Sequence, residues 1–377
     1  DPSSWWDALV EAIGQLGARR SEVAALAVAG QQHGLVLVDE SGTVLRPAKL
    51  WNDTTSAPQA EWLTHELGAD GGGDWAGVKP VAAITIAKLA WVGENEPHVI
   101  EQTAKVMLPH DYLTWRLCGE HVTDRGDASG TGWYDATSDV ALRQPLELAT
   151  NDGARWLEKI PRVLAPDAVA GPLLGSAAAA LGLPDGVLVA PGTGDNMGAA
   201  LGLGLAEGDV VISLGTSGTV YARTSRRAAD VSGAVAGFCD ATGGYLPLVC
   251  TLNATKVTDT VAGWLGVDAA ELAGMALDAG TDPIESLHVP YFDGERTPNS
   301  PNARGVFVGL SNTTSRDQLA RAAHDGVVSG LLDGLSALEA SGAGVDGRLL
   351  LVGGGAKSAA YRQRLADISG RAVEVPH

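Results

Sequence analysis

Apolar positions recur along the chain in two rhythms. Trp5, Leu9, Val10, Ile13 and Leu16 share one face at 3.6-residue spacing, which predicts an N-terminal helix capped by Ser4. Residues 24–29 form a short apolar run, a strand broken by Gly30. Residues 35–38 and 43–45 predict a hairpin turning at Asp39-Glu40-Ser41-Gly42, whose return strand ends at Leu50-Trp51-Asn52-Asp53. Residues 88–92 sit on a helix ending near Glu96-Pro97, and Met107-Leu108-Pro109-His110-Asp111-Tyr112 opens another. Gly71-Gly72-Gly73 reads as a mobile surface loop. Ser315 predicts the cap of a long helix that turns Leu319, Ala322, Ala323, Val327, Leu331, Leu335 and Leu338 inward. Gly326, Gly330 and Gly334 recur every four residues on it. Glycine disfavours helix interiors, so the stripe predicts a second backbone close by.

Three segments share another pattern, an apolar strand running into glycines. They are Val187-Leu188-Val189-Ala190 before Gly192-Thr193-Gly194-Asp195-Asn196, Val210-Val211-Ile212-Ser213-Leu214 before Gly215-Thr216-Ser217-Gly218, and Leu349-Leu350-Leu351-Val352 before Gly353-Gly354-Gly355-Ala356-Lys357-Ser358. Strand, tight turn and helix in that order place ligands at strand ends in open α/β folds. The first loop presents one carboxylate, Asp195, which by position alone could equally cap the following helix. The second offers backbone N–H groups and hydroxyls to phosphate oxygens, and is also what a plain hairpin turn looks like. The third lets a flat base or a phosphate approach the backbone. It is neither a Walker A loop nor a GxGxxG fingerprint. Together the three predict a nucleotide site with a carboxylate beside it.

Length and charge narrow the classes. At 377 residues, 45% hydrophobic, the chain is expected to form two domains, the second beginning near Gly204. A net charge of −19 argues against a nucleic-acid or anionic-membrane surface. Cys118, Cys239 and Cys250 form no CxxC pair, which fits a reducing compartment without structural zinc. No run is long enough to span a bilayer, and Asp1-Pro2-Ser3-Ser4 is no signal-peptide start, so a soluble cytoplasmic protein is expected.

Two strand ends carry candidate substrate groups. Gln31-Gln32-His33 and Trp51-Asn52-Asp53 offer amide, imidazole and carboxylate groups beside an indole face, a lining suited to a polyhydroxylated ligand. Taken singly, His33 could be a satisfied loop histidine and Trp51 a core aromatic. Asp124 and Asp127 stand in a Gly/Ser/Thr stretch where turn chemistry is expected over metal ligation, and no metal ligand is assigned.

This constellation resembles the FGGY family of carbohydrate kinases from end to end. Thr85 with Lys88-Leu89-Ala90-Trp91-Val92-Gly93-Glu94-Asn95 is similar to the family's first signature. Gly305-Val306-Phe307-Val308-Gly309-Leu310, with Gln318-Leu319 and Ala322-Ala323, is similar to the second, with His324 where an apolar residue is usual. Gly30-Gln31-Gln32-His33-Gly34 and Leu50-Trp51-Asn52-Asp53 resemble the sugar site of members acting on D-xylulose, with Gln32 in place of a methionine.

The resemblance implies an α/β protein of two RNase H-like domains of the actin/hexokinase/Hsp70 ATPase superfamily with an interdomain cleft. Residues 1–203 would be the sugar-binding domain and 204–377 the ATP-binding domain. It implies ATP-dependent phosphorylation of D-xylulose to D-xylulose 5-phosphate, with Asp195 as general base and Gln32, His33, Trp51, Asn52 and Asp53 around the sugar. Gly215, Thr216, Ser217 and Gly218 would hold phosphates, and Gly354, Gly355, Ala356 and Ser358 the adenosine, with Mg2+ on the nucleotide. Positioning and charge neutralisation carry such a transfer, and closure excludes water as a competing acceptor. Expected partners are the sugar and ATP, with no nucleic acid, no membrane, and a homodimer as one assembly to consider. The family opens with a strand and an Asp-x-Gly-Thr loop that contacts phosphate and Mg2+. Nothing of that kind precedes Asp1, and the chain stops at Val375-Pro376-His377, before the family's closing helix. The expectation is therefore a first domain incomplete at its start and a second incomplete at its end. A kinase acting on ribulose, gluconate or glycerol, a truncated non-catalytic homologue that binds sugar or ATP, and an actin- or chaperone-like ATPase are the competing readings.

Overall fold

The computed structural model describes residues 1–68, 76–228, 230–298 and 300–376. The expected loop at Gly71-Gly72-Gly73 lies outside them. The chain divides into two compact units, one of Asp1–Gly204 with Ala229–Tyr245, the other of Leu205–Ala228 with Leu246–His377.

In the first unit, the apolar run 24–29 forms two short strands, Ala25–Leu26 and Ala29–Gly30. They pair in parallel with Leu188–Val189 and Thr193–Gly194 respectively. This register sets Gly30, just before Gln31-Gln32-His33, opposite Gly194, just before Asp195. The N-terminal helix runs Ser3–Gly14 and lays Trp6, Leu9, Val10 and Ile13 on a core containing Leu117, Leu181, Val187 and Val189. Its cap differs from the expected Ser4. Asp1 begins the turn, its carboxylate accepting from the Ser3 backbone N–H at 3.0 Å, while Ser4 Oγ donates to the Asp1 carbonyl from inside the helix. Asp1 carries an acceptor one turn earlier and so takes the N-terminal amide first.

The hairpin forms, with a short first strand, Val36–Val38, and a return path joined by Leu45 N–H to the Leu37 carbonyl and Leu35 N–H to the Lys49 carbonyl. The Asp39 carboxylate closes its turn by accepting from Ser41 and Thr43. Val36–Val38 also pairs antiparallel with Lys105–Met107, which leads into the helix Pro109–Cys118.

The second unit is built on a mixed sheet. Its strands lie in the order Tyr245–Thr251, Gly218–Ala222, Val210–Leu214, Leu349–Val352 and Val373–Glu374. Val210–Leu214 is antiparallel to Gly218–Ala222 and parallel to Leu349–Val352, so the two predicted glycine loops leave neighbouring strands at the same end. Helices Thr255–Leu265, Ala269–Asp278, Arg316–Ala340 and Ala359–Ser369 pack through small and branched residues, among them Val261, Leu272, Ala276, Ala320, Ala323 and Ala360. Ser315 caps the long helix in a reciprocal box with Gln318. Its glycine stripe has three different environments. A Cβ at Gly326 would stand 2.3 Å from the His288 carbonyl oxygen, one at Gly334 would meet Val249 and Val220 at 3.2 and 3.3 Å, and one at Gly330 would meet nothing within 4 Å. The expected close backbone is therefore present at Gly326, on the strand Leu287–Val289.

Candidate active site

Asp195 is the first residue of the helix Asp195–Gly202, and Gly194 occupies the cap position. The carboxylate is therefore not the N-cap, although one of its oxygens satisfies a first-turn amide. Its Oδ1 accepts from Asn196 N–H at 2.8 Å and from Asn196 Nδ2 at 3.0 Å. The same Nδ2 donates to Gln32 Oε1 at 3.0 Å, so Asn196 joins the carboxylate to the Gln32 arm. Surrounding protein pushes the Asp195 pKa above its usual value, against the pull of these hydrogen bonds, while the side chain keeps an exposed face. Gly194 must be glycine for this to fit, since a Cβ there would lie 2.7 Å from Gln32 Cγ. Gln32 is buried, and its Nε2 has no partner among the described residues.

His33 is held from both sides. Its φ is 65°, in the left-handed region that non-glycine residues rarely occupy. The carbonyl accepts from Lys88 Nζ at 2.9 Å and Thr85 Oγ1 at 3.3 Å. Lys88 is fully buried and also donates to the Ala83 carbonyl, so the first family-like signature acts here by bracing the His33 turn. The imidazole packs against Phe238 at 5.3 Å, in space that a Cβ at Gly130 would fill.

Trp51, Asn52 and Asp53 follow a segment that touches this arm, through the Leu35–Lys49 bridge and the approach of Gly34 to Leu50. Trp51 is 47% exposed, a large indole with an open face. Asp53 is committed within its own segment. Its oxygens accept from Thr55 N–H at 2.9 Å, Thr55 Oγ1 at 2.6 Å and Lys49 Nζ at 2.9 Å. Burial pushes its pKa up, but these bonds and the Lys49 charge outweigh it and hold it at about 2. Gln32 and Asp195 are thus brought together, while Asp53 serves its own turn.

In the second unit a cavity of about 410 Å³ gathers Gly215 and Thr216 with Gly354, Gly355 and Ser358. Gly353 makes the second loop feasible. It has φ +87°, and a Cβ there would stand 2.7 Å from the Leu214 carbonyl oxygen. Ser358 caps the helix Ala359–Ser369. Ser217, Gly218 and Ala356 do not line the cavity. Residues outside the sequence-based set do, including Thr255, Thr258 and Asp259 at the start of one helix, with His324 and Tyr361. The unusual His324 was the one legible signal. Its Nδ1 lies 2.8 Å from the Ala320 carbonyl, and its ring packs on Tyr361 at 4.7 Å. A further cavity, of about 380 Å³, lies in the first unit against Trp133, Tyr134 and Ile160, and none of the predicted sugar residues line it.

These two sites coincide with the halves of one family. The N-terminal domain of the FGGY family of carbohydrate kinases matches residues 1–202, and its C-terminal domain matches residues 210–377. The chain belongs to the FGGY family of carbohydrate kinases. Its relatives include a xylulose kinase of Streptomyces rubiginosus, 48% identical over 383 residues, covering all of this chain and 76% of that protein. The crystal structure of xylulose kinase from Bifidobacterium adolescentis matches with a TM-score of 0.89 at 43% identity, covering all of this chain and 81% of that one. That of Rhodospirillum rubrum matches with a TM-score of 0.91 at 27% identity, covering all of this chain and 77% of that one. The FGGY chain is thus a two-domain α/β protein with the fold of the actin/hexokinase/Hsp70-like ATPases. Members of the family are sugar kinases that use ATP and Mg2+. Among the described residues no helix is long and apolar enough to cross a membrane, and no group of three or more His, Cys, Asp or Glu is placed to hold a metal ion.

Proposed function

We propose that this FGGY kinase transfers the γ-phosphoryl group of ATP to D-xylulose, giving D-xylulose 5-phosphate. The observation that carries the reading is the Asn196 bridge, which joins Gln32 Oε1 to Asp195 Oδ1 and gathers one amide arm and one carboxylate at the end of a parallel strand pair. The 48% identity to a xylulose kinase along the whole chain supports the choice of sugar. Gln32, His33 and Asn196 orient the sugar, Trp51 offers an apolar face to its carbons, and Asn52 completes that side of the pocket while Asp53 fixes the turn that carries it. Asp195 takes the proton from the attacking hydroxyl, and its raised pKa makes it a better acceptor than a solvated aspartate. Gly215 and Thr216 receive phosphate oxygens, while Gly354, Gly355 and Ser358 receive the adenosine. The cavity that gathers members of both loops has room and hydroxyl donors for that role. Mg2+, carried on the phosphates, supplies charge neutralisation there. A cytoplasmic location follows from dependence on ATP, and a homodimer is the assembly we would test.

The variant Asp195→Asn decides the role of the base. It is expected to bind D-xylulose with nearly unchanged affinity by titration calorimetry and to lose about two to four decades in kcat. Turnover near that of the wild type would remove Asp195 from this role.

A further inference from the structure

Beneath the Gln32–Asp195 site lies a buried cluster that the transfer chemistry does not use. His110, at the start of the helix Pro109–Cys118, is fully buried. Its Nε2 stands 3.4 Å from Asp111 Oδ1, 3.3 Å from Asp124 Oδ1 and 3.3 Å from Asp127 Oδ2. Burial disfavours the charged imidazole, yet the three carboxylates outweigh it and raise the His110 pKa well above its usual value. Burial likewise pushes Asp111 up to about 7 and raises Asp127. A buried ionic group of this kind contributes little net stability, because desolvation offsets the attraction. Its contacts point elsewhere.

Asp124 caps the short helix Arg125–Ala128, accepting from Gly126 N–H at 2.8 Å and Asp127 N–H at 3.0 Å. Its Oδ2 also accepts from Thr193 Oγ1 at 2.6 Å. Thr193 lies two residues before Asp195 and pairs with Ala29 across the parallel strands. On the other side, the His33 backbone N–H faces the Asp127 carboxylate. His110 itself is wedged between the two strand ends. A Cβ at Gly192 would lie 2.9 Å from His110 Nδ1, and one at Gly30 would lie 3.0 Å from His110 Cβ. The cluster therefore touches both arms of the site.

We propose that Asp124 is a positioning residue for phosphoryl transfer, fixing the Asp195 turn through Thr193 and tying it through His110 to the His33 arm. This deepens the kinase reading and rests on it. A shift of Asp195 by a fraction of an ångström would leave ATP binding untouched and slow the proton transfer, because misplacement of a reacting group is costly in rate.

The link is tested at Thr193, where a substitution removes one hydroxyl without unpairing a buried charge from His110. Thr193→Val keeps the β-branch and volume and is expected to lower kcat with D-xylulose by roughly ten- to a hundred-fold, with KM for ATP unchanged. Thr193→Ser, which restores the donor, is expected to recover kcat to within about threefold of the wild type, an outcome that follows from the retained hydrogen bond. Asp124→Asn should lower kcat as well, and the double variant Asp124→Asn/Thr193→Val no further than the worse single one, since both break one link. Wild-type kinetics in Thr193→Val, or a serine variant as impaired as the valine one, would overturn the proposal. Absence of sugar-dependent turnover in the wild type is a failure of the kinase reading instead. The crystal structure of Thr193→Val then judges the positioning role by itself. Loss of the 3.0 Å Asn196–Gln32 contact supports it, and an unmoved 192–196 turn refutes it.

Discussion

At the scale of single residues, the account turns on how Asp195 is left available. Gly194 takes the cap position, Asn196 holds one carboxylate oxygen, and the surrounding protein raises the pKa above 3.8. A base acts only when ionised. As pH falls through the raised pKa, kcat/KM for the sugar should fall with it, and the loss should begin at higher pH than an ordinary aspartate would give. A pH–rate profile with that acid limb in the wild type, and without it in Asp195→Asn, is the expected result. A limb at or below pH 3.8 would contradict the assignment. Asp53 shows the opposite tuning. Three donors hold it ionised at about 2, suiting it to fix a turn and unsuiting it to accept a proton at neutral pH.

At the scale of elements, much of the structure could be read in advance, because strand-to-glycine junctions, the hairpin and the Ser315 cap are local patterns. The junction at 187–196 placed Asp195 at a strand end, and the Ser315 cap placed the start of a helix that extends to Ala340. What was not legible was long-range. Nothing local to Lys88 shows that its ammonium reaches the carbonyl of His33, and His110, Asp124 and Asp127 belong to different elements that meet only after folding. The Thr255–Asp259 side of the second cavity escaped for the same reason. The glycine stripe shows how a local pattern can be right in kind and uneven in detail. Gly326→Ala would drive a methyl into the His288 carbonyl and should destabilise the second unit by about 1–3 kcal/mol in thermal or urea unfolding. Gly330→Ala meets open space and should stabilise it by up to about 1 kcal/mol. Equal effects at the two positions would show that the close approach at Gly326 is not what selects glycine there.

At the scale of the whole molecule, each unit carries its own group of candidate site residues. The first gathers an amide, an imidazole and a carboxylate around a parallel strand pair, and the second gathers two glycine loops around one cavity. Neither half alone specifies phosphoryl transfer, and the family match extends over both halves. The most direct test is ADP release in a coupled assay with ATP and Mg2+, run against D-xylulose, D-ribulose, D-gluconate and glycerol. The account predicts sugar-dependent ADP release with kcat/KM for D-xylulose roughly tenfold or more above the others, as expected where buried polar groups match one pattern of hydroxyls. Preference for another of these substrates, ADP release that ignores the sugar, or D-xylulose binding without turnover would each contradict it.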